Sequence, residues 1–129
     1  MSEILQISIV SVLQVILALG LINVWIVRFH HSTQYRGAGA ESMEQEFHAY
    51  GLPTWFMYIV GGIKLSIAVL LIVGLWFSFL VDASVILLGI LMIGAIVMHV
   101  KIHDSLVRTL PAIAMLLMVV IVVVLIRFI

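Results

Sequence analysis

The chain has 129 residues, 65% of them hydrophobic and 9% charged, with a mean hydropathy of +1.37 and no net charge. Soluble domains carry roughly 25% charged residues, so this composition belongs to a membrane protein, and without a basic cluster a nucleic-acid surface is excluded. No cysteine is present, which excludes disulfide frameworks, thiol redox centres, cysteine nucleophiles and Cys-ligated metals.

A helix needs about 20 apolar residues to cross the hydrocarbon core. Four such runs are found, at about residues 4–27, 54–75, 79–100 and 105–126. The first is too long for the apolar part of a signal peptide and lacks both a basic start and a small-residue cleavage site, so it is read as a span. After it comes the polar stretch RFHHSTQYRGAGAESMEQEFHAYGLP, residues 28–53. Within it residues 41–50 predict a short helix, with acids in the first turn, Gly51 as its stop and Pro53 just beyond. Met43, Phe47 and Tyr50 recur at i, i+4 and i+7, so this helix has one apolar stripe and is expected to lie on the bundle mouth or in the headgroup layer.

The links after the second and third runs, WFSF and KIHDS, are only a few residues long. Helices joined so tightly pack as antiparallel neighbours, and the predicted fold is an all-α, up-down four-helix membrane bundle forming a single transmembrane domain over residues 1–129. Both termini then share one side of the membrane, and the 28–53 loop shares the other with the last link. Arg28, Arg36, Lys101 and Arg108 lie on the loop side against Arg127 on the terminal side, so the positive-inside rule places the loop on the cytoplasmic side.

Few polar residues fall within the spans, and each raises a question. Lys64 lies ten residues past Thr54, about 15 Å deep at 1.5 Å per residue. A central lysine costs about 2.5–3.5 kcal/mol to insert, which marks it as a candidate functional residue. No carboxylate lies inside a span to neutralise it, and Gln14, at similar depth, is the polar partner the sequence offers. Gly61 and Gly62 one turn earlier allow a neighbouring helix or a ligand to approach the backbone.

In GAIVMHVKIHDSLVRTLP, His99 and His103 are spaced i, i+4 with Asp104 adjacent. On a continuous helix both imidazoles share a face, and Glu46 and His48 arrive from the loop at the same side. The candidate pocket is therefore lined by Lys64, His99, Gln14, Glu46, His48, His103 and Asp104. Two histidines without a further convergent ligand make a weak metal site, so these residues are read as pocket-lining and no metal is expected. His30 and His31 sit among solvated loop residues. No catalytic residue is assigned, since phosphate-binding, dinucleotide and serine-nucleophile motifs are all missing.

Three stretches, YRGAGAESMEQEFHAYGLPTW, VGGIKLSIAVLLIVGLW and LMIGAIVMHVKIHDSLVRTLPA, resemble in their order and spacing the DoxX-like family of small bacterial four-helix membrane proteins. The resemblance covers about residues 23–112. It implies the bundle reached above and places Lys64, His99 and Asp104 at the family's recurrent polar positions, although members often carry an acid where this chain has Lys64. It also implies, by analogy with similar folds, a lateral pocket for a lipid-like molecule. Two readings follow. One is a non-enzymatic protein holding a lipid-like ligand, or a partner membrane protein or second copy, in its bundle. The other is an accessory subunit of a quinone-linked redox complex, with His99 and Lys64 donating to quinone carbonyls. A four-helix exporter would need a carboxylate in the first span for proton coupling, where this chain has Gln14.

Overall fold

The structure, a computed structural model, describes residues 2–128. Among them are five α-helices and no strand: α1 (Glu3–Ile22), α2 (Met43–Ala49), α3 (Thr54–Val73), α4 (Val81–Lys101) and α5 (Leu106–Arg127). Four helical stretches, Glu3–Val27, Thr54–Val73, Ser78–Lys101 and Leu106–Arg127, are long and apolar enough to cross a membrane. The all-α membrane bundle expected from the hydropathy pattern is the fold observed. α1 packs on α3, α3 on α4, α4 on α5, and α5 returns to α1.

Hydroxyl side chains within the spans satisfy themselves locally. Ser66 donates to the Gly62 carbonyl at 2.7 Å, Ser84 to Leu80 at 2.7 Å and Thr109 to Ser105 at 3.0 Å. In lipid no water competes for these groups, so i−4 back-bonding keeps them compatible with a helix.

The two ends of the bundle are built differently. At the terminal end Arg127 donates to Asp82 at 2.9 Å on an exposed surface. The interior there is closed by Leu17, Ala18, Ile67, Ala68, Leu71, Val85, Leu88 and Val122, all essentially inaccessible. Close-packed aliphatic side chains hold helices together in lipid chiefly by dispersion, since the bilayer removes most of the hydrophobic driving force.

At the other end the 28–53 connection folds over the helices. Ala38 N–H donates to Asp104 at 2.9 Å and Lys101 Nζ to the Tyr50 carbonyl at 2.9 Å, so this connection and the α4–α5 turn share one end. α1 does not stop cleanly at Ile22. Its last turn widens into a π-helical turn, Asn23–Val27, closed by Arg28 N–H on the Asn23 carbonyl at 2.8 Å. Trp25 on this turn is buried and seats on Gly61 of α3, where an added Cβ would lie 2.6 Å from the indole. Gly61 thus admits a neighbouring helix's largest side chain, while Gly62 faces open space.

α2 starts at Met43, two residues later than predicted, because Ser42 is the residue whose hydroxyl caps it, accepting from Gln45 N–H at 3.2 Å. Gly51 ends it as expected. Its φ of 80° permits Gly51 N–H to reach the His48 carbonyl at 3.0 Å and Leu52 N–H the Phe47 carbonyl at 2.9 Å. Met43, Phe47 and Tyr50 are buried, and the stripe packs toward Trp25 and Met57, so α2 is a lid on the bundle mouth.

The same reverse turn ends α4, with a consequence the periodicity concealed. His103 takes the left-handed position at φ 56°, its N–H on Val100 at 3.1 Å and that of Asp104 on His99 at 2.9 Å. The helix has ended before His103, which is exposed and does not share a face with His99. What the turn brings back onto His99 is Asp104.

Candidate functional site: a loop-side cavity with a buried polar chain

Beneath the lid lies a cavity of about 990 Å³, walled by α1, α3, α4 and α5 and roofed by α2 and the loop. Its apolar wall includes Trp25, Phe56, Val60, Leu91, Ala95, Met98 and Met115. Asn23 and Val24 on the π-helical turn after α1, Ile90 and Gly94 on α4, and Ala114 on α5 also line it and are exposed, so it reaches the bundle's outer surface within the spans.

A continuous polar chain forms the roof. Arg36, 4% exposed, donates through Nη1 to Glu46 Oε2 at 3.0 Å, through Nε to the His31 carbonyl at 3.0 Å and through Nη2 to the Arg28 and Phe29 carbonyls. Glu46 Oε1 accepts from Gly37 N–H at 3.1 Å and from Tyr50 Oη at 2.7 Å. Tyr50 Oη meets His99 Nε2 at 3.3 Å, and His99 Nδ1 faces Asp104 Oδ2 at 2.7 Å. Asp104 Oδ1 also accepts from Arg108 at 3.3 Å. Gly37 is needed here because a Cβ would sit 2.7 Å from the Tyr50 hydroxyl.

Two groups in this chain titrate away from their ordinary values for reasons the geometry supplies. Burial, reinforced by the adjacent Glu46 carboxylate and its hydrogen bond, raises the Tyr50 phenol. Burial also works to raise the Asp104 carboxyl, but hydrogen bonds from Ala38 N–H, His99 and Arg108 outweigh it and hold the group below its ordinary value. No buried polar side-chain atom among the described residues is left without a partner. The chain locks the lid and keeps its own donors and acceptors engaged.

Lys64 is the exception in kind. Protein surrounds it, yet its side chain is partly accessible because the surface it presents is the cavity's own wall. Side chains on a helix lean toward its N-terminus, which on α3 is the loop side, and Nζ comes to lie 5.4 Å from the centre of the Trp25 ring. Among the described residues it makes no hydrogen bond and no ion pair. Its nearest electrostatic help is the cation–π contact and the field of Glu46 across the cavity.

Of the expected pocket residues, Lys64, Glu46 and His99 do line one cavity, with Asp104 directly behind His99. Gln14 does not. Its Nε2 donates to the Leu71 carbonyl at 3.0 Å, seven residues past Lys64 on α3 and so about 10 Å nearer the terminal end. The sequence puts the two at similar depth, but Trp25 seats on Gly61, and that register between the first span and α3 sets Gln14 beside Leu71. His48 points to solvent and hydrogen-bonds Thr54 Oγ1 at 3.0 Å, and His103 is outside the cavity as well. Among the described residues no three metal-ligating side chains cluster. As cavity residues Arg36, Tyr50, Trp25 and Arg108 carry no sequence signal beyond loop-side charge and apolar character. Arg36 stands in a glycine-rich polar loop, and Tyr50 belongs in sequence to the apolar stripe of the lid helix.

The family model described as the DoxX-like family matches residues 27–123, a stretch that runs from the end of the first span through most of the last. The chain belongs to the DoxX-like family. No curated protein and no solved structure matches it. The matched stretch of this DoxX-like protein contains the lid, Lys64 and the whole Arg36-to-Arg108 polar chain. Trp25 lies just before it.

Proposed function

We propose that this DoxX-like protein is a non-enzymatic binding protein that holds a lipid-like molecule in the loop-side cavity. One observation carries the reading: a cavity of about 990 Å³ in the membrane-embedded part of the bundle, apolar along its walls and polar at its roof. That volume is at the top of the roughly 300–1,000 Å³ range of small-molecule sites, and its division into apolar and polar ends suits an amphiphile. The roof offers no activated nucleophile, because Tyr50, His99 and the two carboxylates are engaged with one another.

Native mass spectrometry of the gently solubilised protein tests this. The wild type is expected to carry a lipid-like adduct that Gly94→Trp loses, since Gly94 lines the cavity, a Cβ there meets nothing within 4 Å, and the bulk of an indole at that position competes with the occupant. Equal loading of the two proteins, or bare wild-type protein, would sink the reading. A bound partner membrane protein or second copy in the same spectrum would transfer the role to an assembly surface.

The quinone-linked accessory role keeps one specific support, the Glu46–Tyr50–His99–Asp104 hydrogen-bonded chain bordering the cavity, which is of the kind that hands on protons. A quinone mass in the adduct would favour it. For orientation we propose the loop side as cytoplasmic, supported by the excess of Lys and Arg there, in a bacterial inner membrane.

A further inference from the structure

We propose that the cavity's occupant is a long-chain amphiphile with an acidic head group, a carboxylate or a phosphate, which pairs with Lys64 Nζ beside the Trp25 ring. This rests on the reading of the cavity as an amphiphile site and names the chemistry of its ligand.

Three observations converge. First, the cavity wall is cationic: Arg28, Arg36, Lys64 and Arg108 line it against Glu46, and counting Asp104 behind the wall still leaves two cations in excess. Second, the buried charges other than Lys64 are already matched. Arg36 is paired with Glu46, and Asp104 takes both His99 and Arg108. Glu46 cannot turn to Lys64 without abandoning Arg36, Gly37 N–H and Tyr50 Oη, all of which it holds at 3.1 Å or less.

Third, Lys64 projects into the cavity with three donors and no acceptor among the described residues. A charged group in low dielectric needs a counter-charge or hydrogen bonds to offset its lost hydration, and a cation–π contact supplies only part of that. An anion delivered by the ligand supplies the rest, as a charge-assisted contact that a neutral carbonyl or ester matches only weakly. The long chain then lies along Leu91, Ala95, Met98 and Met115, and the exposed edges at Val24, Ile90 and Ala114 give it a way in from the bilayer.

Trp25 provides the test. Replacing the two exposed tryptophans, Trp55→Phe and Trp76→Phe, leaves Trp25 as the sole tryptophan and a reporter inside the cavity. Lipid nanodiscs carrying this protein are titrated with a dibrominated stearate, its methyl ester and a dibrominated single-chain phosphate monoester, and bromine quenching of Trp25 is read at matched bilayer concentrations. At least one acid is expected to quench at about tenfold lower concentration than the ester, one charge-assisted contact's worth. Lys64→Met should erase that preference and Lys64→Arg should keep it. Whichever acid binds tighter assigns the head group.

Equal quenching by acids and ester in the Lys64 protein overturns the acidic head group while leaving an amphiphile site standing. No quenching by any probe overturns both. If Lys64→Met fails to fold, Lys64→Gln serves in its place, and the acid-to-ester ratio of the Lys64 protein decides the matter without any variant.

Discussion

The terminal half of the bundle and the loop half are made from the same four helices, yet one is a closed aliphatic interior and the other a cavity under a polar lid. In the terminal half Leu17, Leu71, Leu88 and Val122 interlock with no accessible surface. In the loop half Trp25 wedges α1 against α3 at Gly61, and small residues such as Gly94, Ala95 and Ala114 leave the space beyond unfilled. The first half is held chiefly by aliphatic packing, whereas the second adds to the smaller cluster around Trp25, Met43, Phe47 and Met57 a costly arrangement of charges. Replacing buried ion pairs with apolar side chains is often neutral or stabilising, so a network like the Arg36-to-Arg108 chain is better explained by what it holds in place than by stability.

The sharpest way to break this contrast is to remove one charge from the lid. Glu46→Ala leaves Arg36 buried without its counter-charge and strips the Gly37 and Tyr50 donors of their acceptor. Breaking a buried pair on one side costs about 3–5 kcal/mol. We expect that cost to appear as local opening, with hydrogen exchange in residues 28–53 faster by about two to four orders of magnitude and the terminal halves of α1 and α3–α5 unchanged. Protection lost evenly through all helices would show that the halves are one cooperative unit.

A smaller effect compares the two interiors directly. Leu71→Ala opens a void in the packed half, where neighbours on every side lose contacts; Met98→Ala only enlarges a cavity already present. Because the unfolded reference also lies in lipid, the transfer part shrinks and the void part remains. The expectation is about 1–3 kcal/mol for Leu71→Ala and under about 1 kcal/mol for Met98→Ala. Reversible unfolding in mixed micelles measures both, and equal losses would mean that the cavity half is as tightly packed as the other.

The weakest perturbation is pH, read from Trp25 emission in the single-tryptophan background. The Asp104 carboxyl is held below its ordinary 3.8, so what it contributes is present above that value and is lost as pH falls below it. The Tyr50 phenol is raised above its ordinary 10.0, so its contribution is intact below pH 10.0 and lost as pH rises past it. The lid is expected to loosen at both extremes while Glu3–Val27, Thr54–Val73, Ser78–Lys101 and Leu106–Arg127 keep their helicity by circular dichroism. A lid indifferent to both extremes, or helices that melt with it, would remove the distinction between the halves.

By itself the sequence determined the elements that depend on local, repeating signals. Hydropathy over some twenty residues dictates the spans, because an unbonded backbone is intolerable in lipid. The i, i+4, i+7 stripe and Gly51 dictate the lid helix and its end, and Lys64 stands out because a mid-span cation is expensive wherever the helices go. The tertiary structure decided what depends on axial register and chain reversal. Trp25 seats on Gly61, and that register between the first span and α3 puts Gln14 against Leu71 and away from Lys64. The left-handed turn at His103 replaces an expected histidine pair with His99–Asp104. Arg36 and Tyr50 join the site only because the loop closes over the mouth, a contact between segments far apart in sequence that no local periodicity encodes.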